Sequence, residues 1–560
     1  MSVGRLLFAA LDVLILAVLA IAVGILITGG GLFELSGIRI RARTVDNPLI
    51  ILTAAIALRY AAGRAFPLLG IRRWSIAAAS AAAIHTTCDD VPDRITRLFA
   101  RPIVALAAVG LAVFTVKALL AWQLPGFFSG DDVEIHLISM GALYGQHWPV
   151  WELRSAFFPM VFIYPAQRAA FALGAAAPEA LVLSGRLVVA LLSTAVIPLT
   201  WLAVRRLAPG DTRLAALAVL FVAISKLLVS FGSSELPRPI STVFVVAAFV
   251  AALDTKLLAS AAAGVLLGVA AAFRFSELVF IPAALLTLPR DRYWLRAVIV
   301  GAAALSTAAA ITAASDTVYW GTPFSSIATA VDYTLIERQS SRGYQPPWEY
   351  LKTIPSWSTF LVVALAVAGS SRRHPDSWWL WGPFALLSLL PHKEGRYLIP
   401  VVPFLSIAAA RGFMRAIEWI RRTASATGWR RCARELFAPV LLLSLLHEAG
   451  GWRLPRSNEG VRLAQYIRSS EVAGFAGQDL WRLGGHPYLW HHDPLINITP
   501  ELLDDRRATA AAVEHVRWVA LRTRTARTVG DPIMDSLGFD REATWRGEDY
   551  VLYVRRTGMK

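Results

Sequence analysis

Charge is scarce in this sequence. Of its 560 residues only 17% are charged, while 56% are hydrophobic; a soluble domain usually carries about 25% charged residues. That balance excludes a water-soluble globular chain as the main body. Cysteine is almost missing: Cys88 and Cys432 are the only two. Both fall in stretches read as cytoplasmic, far apart, so neither a disulfide framework nor a metal motif follows from them. The sequence has no Walker loop, no dinucleotide fingerprint and no Asp-x-Asp metal-nucleotide motif. No period of a repeat array is visible. The run from Leu6 to Ile27 lacks a small-residue cleavage site and is expected to stay as a first helix rather than act as a signal peptide.

What is present is apolar, in repeated runs of about twenty residues, the length that crosses a bilayer core as helix. The expected fold is an all-α polytopic membrane protein with a small C-terminal soluble α/β domain. Spans are expected at 6–28, 48–65, 102–122, 178–203, 214–231, 239–254, 257–272, 276–289, 295–314, 353–369, 376–391, 397–414 and 435–447, about thirteen in all. Between the first two, Gly37 to Arg43 alternates apolar and basic residues, the pattern of a short extended or interfacial piece. The net charge of +16 reads as basic cytoplasmic loops, not as nucleic-acid binding. A basic surface also suits anionic lipid headgroups and phosphates. Arg205, Arg206, Arg213, Lys256, Arg290, Arg292, Arg372, Arg373 and the block Arg411 to Arg434 all fall in loops assigned inside. Tracing the spans alternately then puts three polar stretches on one outer face: the loop 123–176, the loop 315–352 and the turn at His392-Lys393-Glu394. Three regions result: a membrane extension and cytoplasmic linker over 1–100, a transmembrane core over 101–448, and an extracytoplasmic domain over 449–560. In the last, Gly460 to Ser469 is helix-like, and Val516 to Leu521 and Tyr550 to Val554 are strand-like.

The outer stretch Phe128-Ser129-Gly130-Asp131-Asp132-Val133-Glu134-Ile135-His136 carries three acids and a histidine beside a membrane span. Acids at such an edge are costly and are usually retained for function. The plainer account is a capping box, Asp131 with Glu134 three residues on; it leaves the adjacent Asp132 unexplained. The loop 315–352 is rich in aromatics, which suit sugar faces and interfacial anchoring equally. The turn Pro391-His392-Lys393-Glu394-Gly395-Arg396-Tyr397 packs more ionisable groups than a hairpin needs, and Lys393 and Arg396 suit a lipid phosphate. Arg274 and Glu277, three apart, are expected to pair with each other as a structural ion pair. Glu235 and Arg238 lie in an outer turn with either role open. Gly485-His486-Pro487 and His491-His492-Asp493 match no strong zinc spacing, so no metal is expected there.

These motifs resemble glycosyltransferase family 22, the GT-C mannosyltransferases of GPI-anchor and N-glycan assembly and their bacterial relatives. The resemblance covers roughly residues 100–415 and rests on Asp131-Asp132, Trp151-Glu152, Arg154-Ser155, Asp316 with Tyr319 and Gly321, Pro347-Trp348-Glu349-Tyr350, and above all His392-Lys393-Glu394-Gly395-Arg396-Tyr397 followed by Pro400. It implies a GT-C fold and an inverting transfer of a sugar, typically mannose, from a polyprenyl phosphate to a lipid-linked or envelope glycan. Asp131 or Asp132 would be the general base. His392, Lys393 and Arg396 would hold the donor phosphate. Glu134, Trp151, Glu152, Arg154, Asp316, Tyr319, Trp348 and Tyr350 would line the substrate site, with no metal or other cofactor. The expected partners are membrane lipids, donor and acceptor. The expected place is a bacterial inner membrane, with the site facing the periplasm. A lipid or glycan transporter and a non-catalytic assembly scaffold are the competing readings. The two halves show no convincing internal repeat of the kind transporters carry.

Overall fold

The computed structural model of the chain describes residues 96–151, 153–337, 343–422, 429–454, 456–470 and 474–556, with short pieces at 13–15, 17–21, 31–35, 38–42, 51–52 and 55. Most of the two N-terminal spans, the linker bearing Cys88, and Glu152 lie outside the described residues. The alternating basic stretch is a strand: β2 (Ile38–Ala42) pairs antiparallel with β1 (Gly31–Leu35).

Four described helical segments are long and apolar enough to cross a membrane: Pro102–Gln123, Pro178–Leu207, Tyr293–Trp320 and Gly395–Ile420. Proline opens the first two, where its missing N–H costs nothing. Pro102–Gln123 exposes Ile103, Val104, Leu111 and Leu119, and Tyr293–Trp320 exposes Trp294, Val298, Leu305 and Val318. Among the described residues nothing covers those apolar flanks, which suit lipid.

Of the roughly thirteen expected spans, four are matched among the described residues by these helices of full length. Six further apolar helices, Thr212–Ile224, Arg238–Ala252, Leu257–Phe273, Phe275–Thr287, Phe360–Gly369 and Val440–Gly450, are shorter, at 10–17 residues. The reason is local breaks that summed hydropathy does not register. The expected span 214–231 is cut at Ser225, whose backbone turns extended in ψ before Lys226–Phe231. The expected span 353–369 is cut at Ser358, after which Thr359 caps Phe360–Gly369 by accepting the Val362 N–H at 3.2 Å.

Helices in lipid associate by close packing rather than by exclusion of water, which favours small residues at their contacts. A Cβ on Gly369 would fall 1.8 Å from the Ala408 carbonyl oxygen, and one on Gly412 would fall 1.9 Å from that of Leu365. Glycine is the only residue that allows Phe360–Gly369 and Val402–Arg422 this approach. At the centre of the core Trp379 packs against Phe249, Phe280 and Phe404 with ring centroids 5.2–5.8 Å apart.

The C-terminal part is a five-stranded sheet of order β4-β3-β5-β7-β6, with β3 (Phe475–Gln478), β4 (Leu495–Ile498), β5 (Trp518–Arg522), β6 (Phe539–Arg541) and β7 (Tyr550–Arg555). β3 runs parallel to both β4 and β5, and the β5–β7 and β7–β6 pairs are antiparallel. The helix Asn458–Arg468 buries Val461, Ala464 and Ile467, one face at helical spacing. That face, with Tyr488 and Leu489, forms one apolar cluster with Phe127, Val133, Leu137 and Met140 of the acidic outer segment. The C-terminal domain therefore sits directly on the helix that carries the acids.

Candidate active site

The acidic stretch is the start of the helix Gly130–Tyr144, which Gly145 ends in the left-handed conformation (φ 68°). Its first turn separates the two aspartates. Asp132 is fully buried and accepts the Phe128 N–H at 3.0 Å and the Ser129 hydroxyl at 3.0 Å. Ser129 is the N-cap without a side-chain cap bond of its own, Asp132 reaching back to its hydroxyl instead, and the expected capping box of Asp131 with Glu134 does not form. Those two instead share the other helix face, three residues apart, and both meet Arg154.

Asp131 is the hub. Its Oδ1 meets Arg154, and its Oδ2 lies 3.0 Å from Arg396 Nη2 and 3.3 Å from Arg274 Nη2. These arginines come from far apart in the chain. Arg154 belongs to the same outer loop. Arg274 sits at the extended break between Leu257–Phe273 and the short helix Phe275–Val279. Arg396 lies in the first turn of Gly395–Val401. Arg396 also meets Glu394, and its Nη1 reaches the Ser129 hydroxyl at 3.4 Å. His392 Nε2 lies 3.5 Å from Glu394. Three acids, Asp131, Glu134 and Glu394, thus interleave with three guanidinium groups, an arrangement that balances charge in a poorly solvated place. Arg274 Nε is buried and makes no hydrogen bond among the described residues.

The electrostatics differ sharply across two adjacent residues. Burial alone would raise the Asp131 carboxyl, but Arg396, Arg154 and Arg274 hold it well below the usual carboxylate range. Burial, reinforced by the charge of Glu235, pushes Asp132 up to about 7. Glu134 is also raised by burial, against the pull of Arg154. Burial and the neighbouring Arg154 lower Arg274 to about 10, despite Asp131.

A second, deeper network lies behind Asp132. Arg186 clasps Glu235 in bidentate fashion at 2.8 and 3.0 Å, and Glu235 also faces His136 Nε2 at 3.4 Å. His136 Nδ1 is 2.9 Å from Gln167. The expected pairing of Arg274 with Glu277 does not form: Glu277 faces Arg238 at 3.4 Å, and Arg274 goes to Asp131. Arg238 lies over the Tyr397 ring at 4.3 Å.

The other expected site residues divide. Trp151 is half-exposed, 5.8 Å below Arg154. Tyr319 packs against His147 at 4.9 Å, and Trp320 donates to the Arg154 carbonyl at 3.3 Å, so the middle outer loop does reach the first one. Asp316 is buried and accepts the Ser326 N–H at 2.9 Å and hydroxyl at 2.6 Å; that carboxylate holds the loop's helix Ser325–Val331. Trp348 is exposed, and Tyr350 is buried against Phe384. Lys393 does not join the cluster. Its ammonium donates to the carbonyls of Gln345, at 2.7 Å, and Leu390. The turn is extended at Glu394, and in extended backbone alternate residues share a side. His392 and Glu394 therefore face each other while Lys393 points away. Arg274, Glu394, Ser129 and the Arg186–Glu235 pair were the members not anticipated. Arg274, Glu235 and Glu394 each stand where an apolar run ends, a signal that neither Ser129 nor Arg186, inside the helix Pro178–Ser193, carries.

The fold is shared with solved GT-C membrane glycosyltransferases. The most informative structural relative is ArnT from Cupriavidus metallidurans bound to undecaprenyl phosphate, with TM-score 0.51 and 14% identity over 81% of this chain and 98% of that one. The oligosaccharyltransferase AglB from Archaeoglobus fulgidus has TM-score 0.49 at 10% identity, over 74% of this chain and 69% of that one. The mycobacterial arabinofuranosyltransferase AftD has TM-score 0.48 at 14% identity, over 80% of this chain and 41% of that one. No curated protein matches the sequence. The model of the Alg9-like mannosyltransferase family matches residues 138–452, and the chain belongs to that family. The matched interval takes in Arg154, Arg274 and Arg396 and begins just beyond Asp131.

Proposed function

We propose that this protein is an inverting glycosyltransferase that moves a sugar, with mannose the first candidate, from a polyprenyl phosphate to a lipid-linked or envelope glycan. The reaction lies on the periplasmic face of a bacterial inner membrane. The observation that carries the reading is the meeting of Asp131 with Arg154, Arg274 and Arg396 in one cluster. The undecaprenyl phosphate in the Cupriavidus structure supports the class of donor.

The chemistry follows from the exchange of one anion for another. An incoming donor phosphate competes with Asp131 for Arg396 and Arg274. As they turn to the phosphate, the charges that depress Asp131 withdraw and its basicity rises. Asp131 then accepts the proton of the acceptor hydroxyl while that oxygen bonds the anomeric carbon from the face opposite the phosphate. The bond from the anomeric carbon to the phosphate oxygen breaks, and the negative charge left on the lipid phosphate is held by the guanidinium groups. Arginine suits this, because its planar fork can bind two phosphate oxygens. These cations meet the leaving charge without a metal. Trp151, over whose ring Arg154 lies, offers an aromatic face for a sugar ring. Asp132, with one oxygen held by the Phe128 N–H and the other by the Ser129 hydroxyl, is not the base.

The test is sugar transfer by the purified full-length protein from polyprenyl-phosphate mannose to a panel of lipid-linked and free glycans. Transfer by wild type that Asp131→Asn abolishes and Asp132→Asn preserves supports the scheme. A well-folded wild type that neither binds the donor nor transfers sugar would sink it and favour a transporter or an assembly scaffold.

A further inference from the structure

The segment between the helix Pro102–Gln123 and the helix Gly130–Tyr144 delivers Asp131 to the cluster, and it has no regular structure of its own. Backbone groups in such a buried strap need partners from elsewhere. Four consecutive residues find theirs in the C-terminal part of the chain. Arg456 donates to the Leu124 carbonyl at 2.7 Å, and the Tyr488 hydroxyl to the Pro125 carbonyl at 3.4 Å. The Gly126 N–H donates to Asn458 Oδ1 at 2.9 Å, and the Ser457 N–H donates to the Phe127 carbonyl at 3.1 Å. Contact at Gly126 is so close that a Cβ there would fall 2.6 Å from the Ser457 backbone carbon and oxygen.

The membrane core holds the same strap as well. Arg186 donates to the Leu124 carbonyl at 2.8 Å and the Gly126 carbonyl at 2.9 Å. The other arm of Arg456 reaches the Ser233 carbonyl at 2.7 Å, in the turn that carries Glu235. Just past the strap, the side chains of Ser129 and Asp132 bond each other, and Ser129 also receives Arg396. A shift of residues 124–127 therefore passes directly to the first turn that bears Asp131.

We propose that Arg456, Ser457 and Asn458 are positioning residues, by which the C-terminal domain clamps the strap 124–127 and sets the place of Asp131 in the active site. This rests on the reading of Asp131 as the base. It gives the C-terminal domain a part in the chemistry without any contact with substrate. The donor-phosphate arginines Arg274 and Arg396 stand on other elements, so the clamp governs turnover rather than donor binding.

The test uses the full-length protein in detergent with Asn458→Ala, which removes the acceptor for the Gly126 N–H, and Asn458→Asp, which keeps it. Gly126→Ala attacks the same contact from the other side. Hydrogen exchange of the peptide covering 124–134 is read beside kcat and donor KM with polyprenyl-phosphate mannose. Asn458→Ala and Gly126→Ala are expected to speed exchange across 124–134 and to lower kcat about ten- to a hundredfold, as small misplacements of a reacting group do. Donor KM stays within about twofold, and Asn458→Asp restores both readouts. Unchanged exchange in Asn458→Ala, or faster exchange with wild-type kcat, overturns the proposal. Failure of Asn458→Asp to restore either readout overturns it too. A wild type inactive with this donor, in which exchange still responds as expected, would refute the mannose reading and leave the clamp standing.

Discussion

Replacing Asp131 by asparagine separates two properties that usually fall together, turnover and donor binding. The side chain keeps its size and loses its charge. Turnover should fall by about 10²- to 10⁴-fold, the usual contribution of a positioned general base. Binding of the lipid phosphate should move the other way. Arg396 and Arg274 lie 3.0 and 3.3 Å from Asp131 Oδ2, and only 19% of the Asp131 side chain is exposed. A phosphate must displace that carboxylate before it can take the guanidinium groups. Hydrogen bonds to charged groups are worth about 1.5–3 kcal/mol each in proteins. Recovering even the low end of one such contact makes undecaprenyl phosphate bind about tenfold more tightly, since about 1.4 kcal/mol is a factor of ten. Transfer followed by mass spectrometry gives the first number, and titration of tryptophan fluorescence with undecaprenyl phosphate gives the second. Wild-type turnover in Asp131→Asn would move the base to Glu134 or Glu152. Weaker phosphate binding in that variant would refute the competition between carboxylate and phosphate.

Arg274→Ala should weaken undecaprenyl phosphate binding at least about tenfold, because it removes one charge-assisted contact; equilibrium titration checks this, and unchanged affinity would exclude Arg274 from the phosphate site. Lys393→Ala should leave phosphate affinity as it is and lower stability by about 1–3 kcal/mol, since its ammonium bonds the carbonyls of Gln345 and Leu390 rather than the cluster. Thermal unfolding beside the same titration separates the two, and a large loss of affinity would restore Lys393 to the donor site. For Asp132 the sign of the pH dependence is fixed by its raised carboxyl, about 7 against an ordinary 3.8. Between those values the folded protein holds a proton that the unfolded chain releases, so this group's contribution to stability falls as pH rises from about 4 to 7. Asp132→Asn, which can still accept the Phe128 N–H, should flatten that part of a melting-temperature profile taken between pH 5 and 8; an unaltered slope would mean that Asp132 is ionised throughout.

Much of this architecture is written locally, and the parts that are not share a cause. Hydropathy marks where helices lie, and charge asymmetry brings the loops 123–176 and 315–352 and the turn at His392 to one face, where Trp320 meets Arg154 and Arg396 meets Asp131. Hydropathy does not mark where a helix breaks. Ser225 and Ser358 interrupt apolar runs through single backbone torsions, and a window average over twenty residues is blind to one torsion. Pairing among charges was less legible still. Sequence spacing puts Arg274 beside Glu277, but Arg274 opens an extended break and its side chain leaves the helix face that spacing assumes. The same holds for Lys393, whose neighbours in sequence point to the cluster while extended backbone turns it away. The distinction between Asp131 and Asp132 was present in the sequence as Ser129-x-x-Asp132, a serine and an acid three residues apart whose side chains bond each other. Reading that pair leaves Asp131 as the acid free to face the arginines.

The charges near the membrane edge fall into two layers, and the division explains why so many ionisable groups are tolerated there. In the inner layer Glu235, Arg186, His136 and Arg456 are buried or nearly so, and the two guanidinium groups also donate to backbone carbonyls of Leu124, Gly126 and Ser233. Removing one partner from such a layer strands a buried charge, at about 3–5 kcal/mol, so it is suited to hold geometry and unsuited to change partners. In the outer layer Asp131, Glu134 and Glu394 share Arg154, Arg274 and Arg396 almost wholly through side chains. An ion pair between side chains can be replaced by another anion without leaving the backbone unsatisfied. The outer layer can therefore exchange a carboxylate for a phosphate during turnover while the inner layer, clamped by the C-terminal domain, keeps Asp131 from following the arginines away. A transporter would need the opposite arrangement, in which the deeper charges rearrange to pass the ligand on.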